Sequence, residues 1–308
     1  MLPLLIFLVA LTIMVWGSQR TIDGSIRISN HFGISRMAVG FVLIALFVSL
    51  PDLLVGVLSA VEGKPELGVG DALGSTIANI CLVIGTAAFI RNIKINREHV
   101  VESAEMLFLI SLIPLALLIN NVSALTEGIV LLLLFLFYLF FIAKEKMKMK
   151  PAKKIKQSNM GRSLLEFVVG TAAVVVGSYF VVDSASQIAQ WFGISDGVIG
   201  LTLVALGTTL PELMIDFTAI RRGEISLAIG EILGSAVANL TLVLGSTFVL
   251  AKEAIHFSEF LLPVGFIVIA NSFLVYNFIK HGSIHKSQGI FFLILYGVFL
   301  TMSFTVVR

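Results

Sequence analysis

Gly40-Phe-Val-Leu-Ile-Ala-Leu-Phe-Val-Ser-Leu-Pro-Asp52 and, 160 positions further on, Gly200-Leu-Thr-Leu-Val-Ala-Leu-Gly-Thr-Thr-Leu-Pro-Glu212 are two versions of one segment, an apolar run closed by Leu-Pro and an acid. The register continues without a gap from Gly17 to Gly85 and from Gly177 to Gly245. Roughly a third of these positions are identical, including Phe32-Gly33-Ile34-Ser35 with Phe192-Gly193-Ile194-Ser195 and Gly74-Ser75 with Gly234-Ser235, which reads as a duplication. Each copy puts an ionisable group inside an apolar helix, where charge is costly, so acids at equivalent places point to a shared polar site.

The 308 residues are 57% hydrophobic and 13% charged, with a mean hydropathy of +1.02. That excludes an ordinary soluble domain and indicates a polytopic membrane protein. The run from Leu2 to Trp16 lacks the basic start and small-residue cleavage site of a secretory leader, so it reads as a first span that stays in the mature protein. Cys81 is the only cysteine, which excludes an internal disulfide and a Cys-based zinc or redox centre. Any bound metal must be held by oxygen. The net charge of +2 says less than where the charges lie.

Apolar runs of about 20 residues place ten helices, five per half, near 2–18, 38–61, 69–90, 101–119, 124–143, 164–182, 197–220, 228–250, 258–279 and 288–306. Segments 19–36 and 183–196 prolong the first helix of each half, since Ile22, Ile26 and Ile28 recur among polar residues at roughly helical spacing. Of the 21 Lys and Arg residues, all but Lys64, Lys252 and Arg308 fall in loops that follow odd-numbered helices. By the positive-inside rule those loops are cytoplasmic and both termini face outward, in the cell membrane. Five helices per half then invert the second copy relative to the first, an arrangement that secondary transporters build around a midplane site. The halves are residues 1–143 and 163–308, joined by a basic linker, residues 144–162, which is either a solvated loop beside anionic lipid or a regulatory ligand site.

The chemistry sits around the two Leu-Pro-acid segments. A proline inside a helix removes the amide that would bond the carbonyl four residues back, so Pro51 is expected to free the oxygen of Phe47 and Pro211 that of Gly207. Hydroxyls of Ser49, Thr208 and Thr209 lie beside them. On the following helices Ser75 and Asn79, and likewise Ser235 and Asn239, stand four apart on one face. Gly74 and Gly234 are expected to let those helices approach closely. Two carboxylates, two amides, several hydroxyls and freed carbonyls make an all-oxygen shell that suits a hard cation, above all calcium. Two negative charges balance one divalent ion; adding sodium as well would leave uncompensated positive charge in low dielectric, so the two ions compete.

Blander readings exist for each part. A membrane-helix proline can be only a kink, serines can be small packing residues, and asparagines can bond across helices. Asp71 and Glu231, matched across the copies and on the same face as the serines, are either further site carboxylates, proton carriers among them, or supporting gate residues. Asp216, one turn after Glu212, has Gly56 as its counterpart; it either adds charge to one half only or faces an internal partner. Asp23 and Asp183 match near a helix end, where a solvated or capping place is expected.

At these motifs the chain resembles the cation/calcium exchanger superfamily, most closely its prokaryotic sodium/calcium exchanger branch, over nearly its whole length. The resemblance implies ten helices as two inverted five-helix repeats, with Asp52 and Glu212 as the principal calcium carboxylates. It implies Ser49, Ser75, Asn79, Thr208, Thr209, Ser235 and Asn239 as sodium or calcium ligands, with carbonyls near Phe47, Val48 and Gly207 assisting. It also implies that the slanted first and sixth helices slide past the core to alternate access. Phe47-Val48-Ser49 departs from the family's Gly-Thr-Ser, losing a hydroxyl and gaining a ring, and Asp71 and Glu231 stand where the family commonly has Asn.

The expected activity is secondary antiport of Ca2+ against Na+, with H+-coupled antiport, another cation and a passive channel as alternatives. No enzyme activity and no cofactor are expected. The partners are inorganic cations and the lipid bilayer, with no nucleic acid. Gly68-Val-Gly-Asp71 matches a string found in intramembrane aspartyl proteases, but the accompanying Tyr-Asp motif is absent. Asn239-Leu-Thr241 fits a glycosylation pattern but falls inside a predicted span.

Overall fold

The computed structural model describes residues 2–90, 92–94, 97–113, 124–146, 160–191, 205–251, 255 and 260–306, and each of the ten apolar runs falls at least in part on helix. In order these are α1 (Leu2–Phe32), α2 (Arg36–Val48), α3 (Leu50–Val61), α4 (Pro65–Ile90), α5 (Arg97–Ser111), α6 (Ala124–Lys146), α7 (Met160–Trp191), α8 (Ala205–Arg221), α9 (Ile225–Leu250), α10 (Leu261–His281) and α11 (Lys286–Val306). Two short strands, β1 (Ile93–Lys94) and β2 (Ser283–Ile284), lie in connections.

Among the described residues seven helices are long and apolar enough to cross a membrane, and an eighth is gained if α2 and α3 are one span. The shortfall from ten lies in α5 and α8, of 15 and 17 residues. Residues 114–123 and 192–204, into which the sequence extends them, lie outside the described residues, as does most of the basic linker. The run at 38–61 is not one straight helix: α2 and α3 meet at a bend of 42° at Ser49.

The prolonged first helices are present. α1 has 31 residues and α7 has 32, each about 46–48 Å long at 1.5 Å per residue. That exceeds the roughly 30 Å of bilayer hydrocarbon, so both tilt or project beyond it. They share the longest interface in the molecule. Small residues permit it: a Cβ on Gly17 would stand 2.7 Å from the Gly170 carbonyl, and one on Gly24 2.8 Å from that of Ser163. Thr21 Oγ1 lies 3.3 Å from Thr171 Oγ1, and Arg27 pairs with Glu166 at 2.5 Å.

The inversion follows from what meets what. β1, after the third span, pairs antiparallel with β2, after the ninth, Ile93 opposite Ile284. Arg222, after the seventh span, pairs with Asp23 of α1. The connections after the third and ninth spans thus meet each other, the end of the seventh meets the first, and the repeat mate of each follows an even-numbered span. The duplication extends to single bonds. Gly63 and Gly223 both take positive φ, +77° and +81°, and close equivalent turns in which Lys64 N donates to Ser59 O and Glu224 N to Ala219 O, each at 2.8 Å. Left-handed glycine is the usual way to end a helix so that its last carbonyls find donors.

α9 is buried along nearly its whole length and α4 along most of its own, while α1, α6 and α11 present exposed Leu, Val and Phe side chains suited to lipid. α2 crosses α9 at Gly40 and Gly230, where an added Cβ would run into the Leu227 and Met37 carbonyls respectively. Gly234 behaves as expected, its Cβ position lying 2.7 Å from the Phe41 carbonyl. Gly74 does not: no described atom comes within 4 Å of the place its Cβ would take. Asp23 takes the solvated of its two expected places, its side chain 31% exposed. It lies inside α1 and caps nothing, its carboxylate engaged by Arg222 at 2.6 Å.

Candidate ion-binding site

The two Leu-Pro-acid segments fold differently. α2 opens into a π-helical turn at Gly40–Ile44 and stops at Ser49, whose φ of −78° and ψ of 3° leave the helix. Pro51 then falls in the first turn of α3, where an amide would lack a helical partner anyway. The expectation of an interior proline is thus corrected for the first copy. Asp52 lands in that first turn, at the positive end of the helix. In the second copy α8 runs on through Pro211, and the Gly207 carbonyl loses its helical donor.

Asn79 and Asn239 both sit at π-helical turns, Ala78–Val83 and Asn239–Val243. Such turns widen a helix by one residue and recur at functional places because they re-aim side chains.

The structure brings the predicted residues of both halves together. Ser75 Oγ donates to Asp52 Oδ1 at 3.3 Å and lies 3.5 Å from Thr208 Oγ1, which donates to Asp71 Oδ1 at 3.2 Å. Ser49 Oγ stands 2.6 Å from Ser235 Oγ. Asp52 neighbours Asp71 and Asn239, and Glu212 lies within charge range of Asp52, Asp71 and Glu231. Thr209, Glu212, Glu231, Ser235, Asn79 and Asn239 are fully buried, as is Asp52.

Among the described residues both carboxylate oxygens of Glu212, Asp216 and Glu231, one each of Asp52 and Asp71, and the amide atoms of Asn79 and Asn239 have no hydrogen-bond partner. Buried polar atoms are nearly always satisfied, so these oxygens form a polar cluster able to accept water or a cation as well as one another. The four ion pairs among the described residues, Arg27 and Arg162 with Glu166, Arg36 with Glu224 and Arg222 with Asp23, leave all five acids uncompensated. No three His, Cys, Asp or Glu side chains among the described residues gather as a metal group by themselves. A cation there would need Ser, Thr, Asn and carbonyl oxygens as well as carboxylates, the mixed shell that hard ions accept.

Phe47 and Val48 can offer only main-chain oxygens. The Phe47 ring turns away to stack edge-on against Phe167 of α7, centroids 5.3 Å apart, and Val48 is buried in the apolar core. Asp216, which has no acidic counterpart in the first copy, is fully buried facing Glu231. Its signal in the sequence is an acid one turn after Glu212 on an apolar helix, and of the two readings left open there, Glu231 beside it fits that of an internal partner.

The family model described as sodium/calcium exchanger protein matches residues 2–144 and 162–305. The chain belongs to that family. It is similar to an uncharacterized membrane protein of Methanocaldococcus jannaschii, 33% identical over 294 residues and 94% of each chain. It is also similar to the sodium/calcium exchanger MaX1 of Methanosarcina acetivorans, 27% identical and covering 97% of this chain and 98% of that one. Among solved structures, the sodium-calcium exchanger NCX_Mj soaked with Na+ and Sr2+ superimposes with a TM-score of 0.84 at 32% identity, covering 96% of this chain and 97% of that one. As a member of this family the chain is a multi-pass membrane protein of two inverted helical repeats.

Proposed function

We propose that this chain exchanges Ca2+ for Na+ across the cell membrane by alternating access, with its basic loops in the cytoplasm and both termini outside. One observation carries the reading: Asp52 and Glu212, one from each inverted half, are fully buried within charge range of each other, and no cation among the described residues answers them. Their two charges match one Ca2+, and Asn79, Asn239, Ser49, Ser75, Thr208, Thr209, Ser235 and the Gly207 carbonyl supply the neutral oxygens a calcium shell of six to eight ligands requires. When Na+ takes those oxygens, Ca2+ must leave, because both loads together place excess positive charge in low dielectric. α1 and α7, bound to each other through small residues and the Arg27–Glu166 pair, move as one body past α4 and α9 and expose the cage to one face at a time.

The family and the names of its relatives support transport over peptide cleavage, so the Gly68-Val-Gly-Asp71 string carries no protease reading. A proton-driven mode is the rival, favoured by Asp71, Glu231 and Asp216, which add three acids beyond the central pair. Ca2+ uptake into proteoliposomes loaded with Na+ tests the proposal. Uptake is expected in the wild type and lost in Asp52→Asn and in Glu212→Gln; uptake that persists in either variant removes that carboxylate from the site. Uptake driven by a pH gradient without Na+ would transfer the coupling to H+.

A further inference from the structure

α1 is tied to α8 on the face that carries the basic loops. Arg222 Nη2 meets Asp23 Oδ1 at 2.6 Å, Arg222 Nη1 donates to the Gln19 carbonyl at 3.3 Å, and Ser18 Oγ lies 2.8 Å from Thr218 Oγ1. These bonds border a cleft of about 580 Å³ between the two helices, lined by Gln19, Asp23, Met214, Phe217 and Arg222.

The 160-residue offset says what the opposite face should hold: the α1 side of the tie is kept there, Ser18 as Ser178 and Asp23 as Asp183, but its α8 side is not. Arg222 becomes Glu62, Thr218 becomes Leu58, and Asp23 becomes Asp183. Among the described residues neither Glu62 nor Asp183 makes an ion pair, and Asp183 is instead engaged by Gln187 of its own helix at 2.9 Å. α7 scarcely meets α3. Leu50, Leu54 and Leu58 are accordingly exposed along α3, whereas their mates Leu210, Met214 and Thr218 on α8 are partly covered. Among the described residues α1 is therefore bonded to α8 on one face, while no ion pair joins α7 to α3 on the other. A matching bond cannot form there, because approach of α7 to α3 would bring two acids toward each other, not an acid toward an arginine.

We propose that Arg222 and Asp23 form a one-sided latch that holds α1 against α8 and weights the protein toward the state open on the face opposite the basic loops. They are positioning residues: they touch no ion and act on the site only through which face it sees. The inference rests on the alternating-access reading. A half-exposed ion pair is weak, so the weighting it contributes is about two- to fivefold, enough to bias the cycle without stalling it.

The test uses the full chain in vesicles, with Met214→Cys as a reporter inside the cleft. The wild type, whose only cysteine is the buried Cys81, gives the background. An impermeant thiol reagent applied from the basic-loop face should label the reporter two- to fivefold faster in Arg222→Ala and Asp23→Asn. The double swap Asp23→Arg with Arg222→Asp should restore the slow rate. Apparent Ca2+ affinity measured from that face should improve in the single variants and worsen from the other. Unchanged labelling in both single variants overturns the latch, as does a swap that behaves like them. Labelling needs no ion gradient, so a wild type that shows the latch but no exchange would sink the transport reading alone.

Discussion

Ser49 Oγ of the first half and Ser235 Oγ of the second lie 2.6 Å apart, both buried, across 186 residues of sequence. The bond spans the duplication, joining the break before α3 to the middle of α9. Asp52 is therefore carried on a helix start whose place is set by the other half. Losing one hydroxyl strands its buried partner, a loss of about 1–3 kcal/mol. Ser49→Ala and Ser235→Ala should each weaken apparent Ca2+ affinity by roughly tenfold, and the double variant should lose much less than the product of the two. Ca2+ titration of exchange rates in the three variants checks this. Full additivity would mean that the two hydroxyls act independently.

Asp71 holds Thr208 at 3.2 Å and neighbours Asp52, so it does two separable things. Asp71→Asn keeps an acceptor for the threonine and removes a negative charge, whereas Asp71→Leu removes both. At short range in a protein interior a unit charge is worth several kcal/mol before relaxation, so the Asn variant should lower Ca2+ affinity, by about tenfold. The Leu variant should lower it further and also lower the maximal rate. Initial uptake rates over a range of Ca2+ concentrations separate the two effects.

Much of this architecture can be read from the residues alone, because a fixed offset of 160 positions is a strong constraint. Once Asp52 is matched to Glu212, and Asn79 to Asn239, burial of one member implies burial of its mate. The limit of the same logic is asymmetry. Leu50-Pro51-Asp52 and Leu210-Pro211-Glu212 look alike, yet one proline begins a helix and the other lies within one. The difference is decided by packing across the halves, which local sequence does not encode. Asp216 meets the same limit: the residues leave open whether it adds charge to one half or faces an internal partner, because its mate is Gly56, whose Cβ position lies 2.6 Å from Thr247 Oγ1. The direction of the Phe47 ring was equally out of reach, being set by Phe167 more than a hundred residues away.

Gly230 should be intolerant where Gly297 is not. A methyl group on Gly230 meets the Met37 carbonyl, which is backbone and cannot swing away, while nothing lies within 4 Å of one on Gly297. Overpacking of this kind costs about 1–3 kcal/mol. Gly230→Ala should lower the melting temperature in detergent by several degrees, whereas Gly297→Ala should leave it unchanged or raise it, alanine being the better helix former. Equal melting temperatures would show that α2 and α9 can part at this crossing without loss.

The two prolines make opposite demands, and substituting each in turn separates them. Pro211 lies inside α8 and withholds a donor from the Gly207 carbonyl, an arrangement that costs a helix about 3 kcal/mol. Pro211→Ala supplies the amide, so the carbonyl can close its helical bond and α8 should become more stable. If that carbonyl serves the transported ion, the same change should weaken exchange, giving a variant with a higher melting temperature and a poorer Ca2+ affinity. Pro51→Ala has no such bond to regain, because α2 and α3 diverge by 42° just before it, and both quantities should move little. A Pro211→Ala protein that is stabilised and exchanges normally would show that the Gly207 oxygen faces no ion, leaving Thr208, Thr209 and Glu212 as the contribution of α8 to the cage.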